Sequence, residues 1–242
     1  MEHLESNSLL SNAQHGFRPK LSTETALLKV TDSLYTNIDD NLVSLVILWD
    51  LSKAFDSVSH NILIDKLDLV NVDKFWFDDY LHNRQQSVRI GNITSSSENI
   101  TYGVPQGSIL GPILFLIYVN DMQAMNFDCD LVQYADDCQL ILKGKIDDLH
   151  EIVKKAEDTL TQTKQYFDAN GLLMNANKTQ CIFVGSRQNI AKIPDHLRIS
   201  CDGNDIIPSN VVKNLGVHID RFMVFDTHIQ EMRKKLWGSL FT

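Results

Sequence analysis

Apolar positions come in three patterns along the chain, and each predicts a different element. Ala26, Leu27, Val30 and Leu34 recur at helical spacing behind Ser22, an N-cap with Thr25 three residues on. Residues 42–49 are almost wholly apolar and rich in β-branched side chains, which predicts a strand buried on both faces. Phe55, Val58, Ile62 and Leu67 predict a helix over 53–69, and a second helix over 74–82 carries Phe75, Trp76, Phe77 and Tyr80 as core residues. Residues 87–90 and 99–102 read as a hairpin about a Ser-rich turn at 94–97. The segment Gly103 to Pro112 is too rich in Gly and Pro for a regular element, and it opens an apolar helix over 112–122.

Leu131 to Gln133 and Cys138 to Leu142 read as strands joined by the turn Tyr134-Ala135-Asp136-Asp137. A long helix over 147–169 bears the stripe Leu149, Ile152, Val153, Ala156, Leu160 and Phe167, with Asp147 and Asp148 at its start and Gly171 as stop signal. A strand at 180–184, a polar loop at 185–195, strand-like runs at 197–200 and 211–219, and an amphipathic helix over 227–240 complete the chain. Arg233, Lys234 and Lys235 on that last helix read as a solvated face.

The 242 residues suffice for one large domain or two small ones, and 43% hydrophobic with 22% charged residues is ordinary for a soluble globular protein. The net charge of −9 does not advertise nucleic-acid binding, although a local groove can be basic on an acidic protein. Cys129, Cys138, Cys181 and Cys201 have no Cys-x-x-Cys spacing and read as reduced thiols of an intracellular protein. The start lacks the basic and apolar regions of a signal peptide, and the longest apolar run, 109–119, is too short to span a bilayer.

The candidate chemistry is acidic. Asp50 ends the buried strand and Asp136-Asp137 sit at a hairpin tip. The alternatives are bland: a solvated Asp-Asp turn, and Asp50 or Ser52 capping the next helix. If the strands are neighbours, three carboxylates converge, and such a cluster stays ionised only around cations; oxygen ligands suit Mg²⁺. Two such ions about 3.5–4 Å apart serve in-line phosphoryl displacement. A zinc hydrolase is disfavoured because no His pair at ligand spacing accompanies the acids. The Gly-rich loop before 112 admits close approach of a flat ligand, or is a tight packing turn.

The ordered motifs Gln14-His15-Gly16-Phe17-Arg18, Asp50-Leu51-Ser52-Lys53-Ala54-Phe55-Asp56, Gly103-Val104-Pro105-Gln106-Gly107-Ser108, Tyr134-Ala135-Asp136-Asp137, Gly171 to Lys178-Thr179, and Asn214-Leu215-Gly216-Val217 are all present. Together, over roughly residues 10–220, they resemble the reverse transcriptase domain of non-LTR (LINE-type, jockey-like) retrotransposons. The resemblance implies an α+β fold, a right-hand polymerase whose palm is an antiparallel sheet packed on helices. It places partial fingers at about 1–40 and 72–104, palm at about 41–71 and 105–225, and at 226–242 the start of a truncated thumb or tail. It implies an RNA-directed DNA polymerase that uses an RNA template, a DNA primer and dNTPs, with two Mg²⁺ (or Mn²⁺) ions, located in nucleus or cytoplasm with no membrane partner. Asp50, Asp136 and Asp137 would hold metal, with the Leu51 carbonyl. Phe55 matches a steric gate against the 2′-OH, and Gln106 and Gly107 match a nucleotide-contacting loop. Lys178 matches a pyrophosphate partner, Arg18 is a candidate triphosphate contact, and Leu215, Gly216 and Val217 match a primer grip. Asp56 reads as structural or an ion-pair partner. The family's upstream fingers strand has no counterpart in the 242 residues, and only about 20 residues remain for its downstream thumb. The alternative is therefore a truncated, non-catalytic remnant that at most binds nucleic acid.

Overall fold

The computed structural model describes residues 1–125, 127–175 and 178–240, with side chains to 237. In chain order come α1 (Glu2–Ser6), α2 (Thr23–Asp39), β1 (Val43–Trp49), β2 (Leu51–Ser52), a 3₁₀ turn (Ala54–Asp56), α3 (His60–Leu69) and α4 (Lys74–Leu81). Four short strands follow, β3 (Gln85–Gln86), β4 (Arg89–Ile90), β5 (Ile93–Thr94) and β6 (Glu98–Asn99), then α5 (Leu110–Val119) and a 3₁₀ segment (Asn120–Met125). Next are β7 (Asp130–Tyr134), β8 (Asp137–Gly144), α6 (Leu149–Ala169), β9 (Leu173–Met174), β10 (Gln180–Val184) and α7 (Arg187–Ile190). The chain closes with β11 (Ile199–Cys201), β12 (Asn204–Ile206), β13 (Val211–Asn214), β14 (Val217–Asp220) and α8 (Asp226–Leu240).

The centre is a four-stranded antiparallel sheet in the order β10-β1-β8-β7. Its strands are mostly apolar along their middles because both faces are covered there. Alternate side chains point to opposite faces: Leu45, Ile47 and Trp49 of β1, Leu140 and Leu142 of β8, and Cys181 and Phe183 of β10 enter one core, which includes residues of α3, α5 and α6. Val46, Ile141, Ile182 and Val184 enter the other, with Ala26, Val30 and Leu34 of α2 and Val212 and Ile219 of the β13–β14 hairpin. On the first side Lys66 is a buried strut: its ammonium donates to the Tyr118 carbonyl (2.5 Å), Asp121 (2.9 Å) and the Asn170 side chain (2.6 Å), joining α3 to the ends of α5 and α6. At α2 the Ser22 hydroxyl accepts from Thr25 N–H (3.3 Å) while the Thr25 hydroxyl accepts from Ser22 N–H (2.9 Å), a reciprocal cap.

Several expectations are corrected. The helix over 53–69 starts only at His60. Lys53 is left-handed (φ 50°), and the carbonyls of Phe55 and Val58 are taken by Val104 N–H (2.9 Å) and Gly103 N–H (2.7 Å), so the chain cannot continue a helical ladder there. On α4 the aromatics are not all core: Phe75 is 79% and Trp76 55% exposed, while Phe77 and Tyr80 pack partly against the core. A short helix lying on the surface buries one side only, and Trp76 stacks instead on Tyr80 (5.4 Å). The hairpin turns at Gly91 (φ 60°), between Ile90 and Ile93, rather than at 94–97. The apolar helix begins at Leu110 and ends at Val119. The run 211–219 is a hairpin about Leu215 and Gly216, both with positive φ, as such tight turns require. The strand-like run at 197–200 becomes β11, one or two residues later and paired with β12; α1 and α7 carry no clear sequence signal.

The cysteines are free, and burial raises the Cys138 thiol to about 11 and the Cys181 thiol to about 12, so both behave as core side chains. Among the described residues no helix is long and apolar enough to cross a membrane.

Candidate active site

Antiparallel pairing brings the acids together. Trp49 pairs with Cys138 at the end of the β1–β8 ladder, so Asp50 and Asp137 are the next residues out at the same sheet end. Asp136 sits beside them in the two-residue turn between β7 and β8, where Tyr134 pairs with Asp137 and Ala135 has φ 56°. Burial pushes both hairpin carboxyls above the usual range. For Asp136 the Asp50 charge adds to this, against a lowering by its own backbone N–H; for Asp137 the charges of Asp136 and Asp50 add.

Lys178 reaches the same point by a separate route. β2 pairs with β9 (Leu51↔Met174), Asn175 N–H donates to the Asp50 carbonyl (2.9 Å), and the Lys178 ammonium then meets the Asp50 carboxylate at 3.1 Å. Leu51, buried in β2, keeps its backbone next to Asp50.

The donors at this end are carboxylate and carbonyl oxygens, and burial, with the neighbouring carboxylate charges added, raises the carboxyls of Asp136 and Asp137. That chemistry suits a hard divalent cation. Among the described residues, however, no group of three acids, His or Cys is gathered as a cage, and Asp50 is paired with Lys178. The donor set fits such an ion in kind, while the Asp50 carboxylate is held by Lys178.

Phe55 lies half-buried on the 3₁₀ turn, stacked on Phe115 (4.5 Å) and edge-on to Phe17 (6.3 Å). Its ring is thus packed on one side and partly open on the other. The loop carrying Gln106 and Gly107 is pressed onto this turn: a Cβ on Gly103 would stand 3.0 Å from Asp56 Cα. Among the described residues Asp56 makes no ion pair; it accepts a hydrogen bond from the Gln106 amide (2.8 Å). Gly107 has φ 77° with open space around it. A cleft of about 650 Å³ runs from Gln106 and Lys53 to Arg84 and Tyr102.

Across from the carboxylates stands the β13–β14 hairpin. A cleft of about 330 Å³ is lined by Asp50, Asp137, Lys178, Lys213, Asn214 and Leu215, among others; Gly216 and Val217 are not in its wall. The hairpin is latched to the sheet by Asn214, whose buried amide donates to the buried Gln139 side chain at 2.9 Å.

Arg18 is not brought to the centre. Its guanidinium makes a two-pronged pair with Glu5 (both 2.8 Å) and donates to the carbonyls of Ser11 (2.6 Å) and Gln14 (3.2 Å), with its side chain only 11% exposed. The Arg18 hydrogen bond holds Glu5 below the usual carboxylate range. Helix α1 thus supplies the carboxylate partner of the Arg18 fork.

Two residues had no role assigned from sequence: Gln139, which holds the β13–β14 hairpin, and Gln14, whose side-chain oxygen accepts from Ala135 N–H (2.9 Å). Gln139 had a usable signal, a lone amide inside the apolar run 138–142. Gln14 had only its place in a motif.

Residues 1–219 match the family model of reverse transcriptase (RNA-dependent DNA polymerase). The chain belongs to the reverse transcriptase family. Among its relatives are the probable RNA-directed DNA polymerase from transposon X-element of Drosophila melanogaster, 25% identical over 96% of this chain and 26% of the relative. Another is the RNA-directed DNA polymerase from mobile element jockey of the same organism, 26% identical over 91% of this chain and 24% of the relative. The chain thus spans about a quarter of the length of these curated relatives. Telomerase from Candida albicans, solved with a TWJ fragment of telomeric RNA, superposes with a TM-score of 0.62 at 14% identity, covering 92% of this chain and 37% of that one. That likeness shows the fold: this reverse transcriptase domain has the α+β polymerase palm.

Proposed function

We propose that this domain catalyses RNA-directed DNA polymerisation, adding dNTPs to the 3′-hydroxyl of a DNA primer on an RNA template. The observation that carries the reading is the convergence of Asp50, Asp136 and Asp137 at one sheet end of a reverse transcriptase-family chain. Asp50, Asp136, Asp137 and the Leu51 carbonyl would hold two Mg²⁺ (or Mn²⁺) ions, which supply activation of the 3′-hydroxyl and charge neutralisation on the leaving pyrophosphate. Lys178, freed from Asp50, turns its ammonium to the pyrophosphate as proton donor or counter-charge. Gln106 and Gly107 orient the incoming nucleotide, Phe55 excludes the 2′-OH, and Leu215 to Val217 hold the primer end. In this reading residues 1–40 and 72–104 are partial fingers, 41–71 and 105–225 palm, and 226–242 the start of a truncated thumb or a tail; positions 241 and 242 lie outside the described residues. Residence in nucleus or cytoplasm belongs to the same reading.

Primer extension on poly(rA)/oligo(dT) with Mg²⁺ or Mn²⁺ tests it, and metal-dependent incorporation of dTTP is the expected result. The Asp50–Lys178 pair favours one second reading, nucleic-acid binding without catalysis. Salt-sensitive binding of the duplex with no incorporation selects that one instead.

Phe55→Ala tests the sugar gate. One steric contact in a pocket is worth about 10- to 200-fold in discrimination. The ratio of kcat/KM for dTTP over UTP should fall by that order, and an unchanged ratio removes the gate role.

A further inference from the structure

The Tyr134–Asp137 turn carries a conformational problem that the carboxylates do not solve. Ala135 is left-handed at φ 56°, where an L side chain is disfavoured and glycine is usual at the first position of so tight a hairpin. Something outside the hairpin must hold it. Gln14, 3% exposed and 121 residues away in sequence, grips that peptide on both sides. Its side-chain oxygen accepts from Ala135 N–H (2.9 Å) and also from Gly16 N–H (2.7 Å), and its amide donates to the Ala135 carbonyl (3.3 Å).

The segment around Gln14 is laid against β7 like an extra strand. His15 N–H donates to the Gln133 carbonyl and Gln133 N–H to the Ala13 carbonyl, both at 2.8 Å, in a parallel bridge. Gly16 makes the fit possible: a Cβ there would stand 2.4 Å from Ala135 N. The backbone groups of Ala135 are buried, so without Gln14 they have no water to turn to.

We infer that Gln14 is a positioning residue for the polymerase centre, a side-chain clamp that holds Ala135 left-handed and so aims Asp136 and Asp137 at the reacting phosphate. The clamp acts through the turn and touches no substrate. Its catalytic consequence rests on the polymerase reading above; its structural content does not.

The test uses Gln14→Met, which keeps length without the amide, and Gln14→Asn, which keeps the amide one methylene short. Gln14→Glu retains both acceptor bonds and is the conservative rescue. Amide hydrogen exchange at Ala135, read by NMR, should speed up about tenfold in the Met and Asn variants and stay within about threefold in Glu, as expected for losing buried hydrogen bonds. The Ile141 amide, in the middle of β8, should not change. In primer extension kcat should fall about tenfold in Met and Asn with KM for dTTP within about twofold, the pattern of a group that matters in the transition state rather than in binding. Unchanged exchange at Ala135, or equal acceleration at Ile141, overturns the clamp. If the wild-type chain incorporates nothing, the polymerase reading falls while the exchange result still decides the clamp. If it incorporates and Gln14→Met keeps its kcat, the aiming role falls alone.

Discussion

Asp136→Asn abolishes primer extension and makes the metal-free fold more stable at neutral pH. The first effect follows from the donor set. Asn keeps the size but removes one of the charges that would hold the cations, and several kcal/mol of charge stabilisation at a phosphoryl transition state corresponds to a loss of about 10³-fold or more. The second follows from the pKa direction. Asp136 is held above its ordinary value, first by burial. The native state therefore binds the proton more tightly than the unfolded chain, and stability is lost as pH rises from the unfolded value through the raised one. Asn has no such loss. In EDTA its melting temperature should match wild type at low pH and exceed it at pH 7. Added Mg²⁺ should raise the wild-type melting point and close that gap. Retained incorporation in the variant removes Asp136 from the centre, and a lower melting point at pH 7 contradicts the electrostatic account.

Phe167→Ala should cost about 3–5 kcal/mol of folding stability, the range for removing a large ring from a packed core. Phe167 is 1% exposed near the C-terminal end of α6, and its ring meets Trp49 edge-on at 6.2 Å. Trp49 is the last residue of β1 and the immediate neighbour of Asp50. The cavity therefore opens under the strand end that carries the first carboxylate. For a chain of this size the thermal midpoint should drop by roughly 6–20 °C. Urea titration and a thermal melt measure both. A loss below about 1.5 kcal/mol would mean that α6 packs loosely on the sheet, contrary to the burial of Ile152, Ala156 and Leu160 along the same stripe.

Much of this was legible locally. The run 42–49 and the flanks of the Asp-Asp turn became β1, β7 and β8, because two-faced burial leaves predominantly apolar runs in the sequence. The stripe on α6 and the Ser22 cap are equally local signals. Phe75 and Trp76 were misread because an aromatic cluster announces apolar area without saying whether a layer lies over it. The break before His60 was hidden because the groups that capture the Phe55 and Val58 carbonyls lie some 45 residues downstream.

The sequence by itself determined the strands of the central sheet, helices α2 and α6 against it and the acids at its strand ends, since periodicity and turn chemistry depend only on near neighbours. Tertiary structure decided which side chains those acids meet. It put Lys178 on Asp50, Gln14 on Ala135, and Glu5 on the guanidinium of Arg18. The first two join groups more than a hundred residues apart, and the third depends on a five-residue helix with no sequence signal of its own. Hydrogen bonds and ion pairs act over a few ångströms, so their partners are fixed only once packing has brought distant segments side by side.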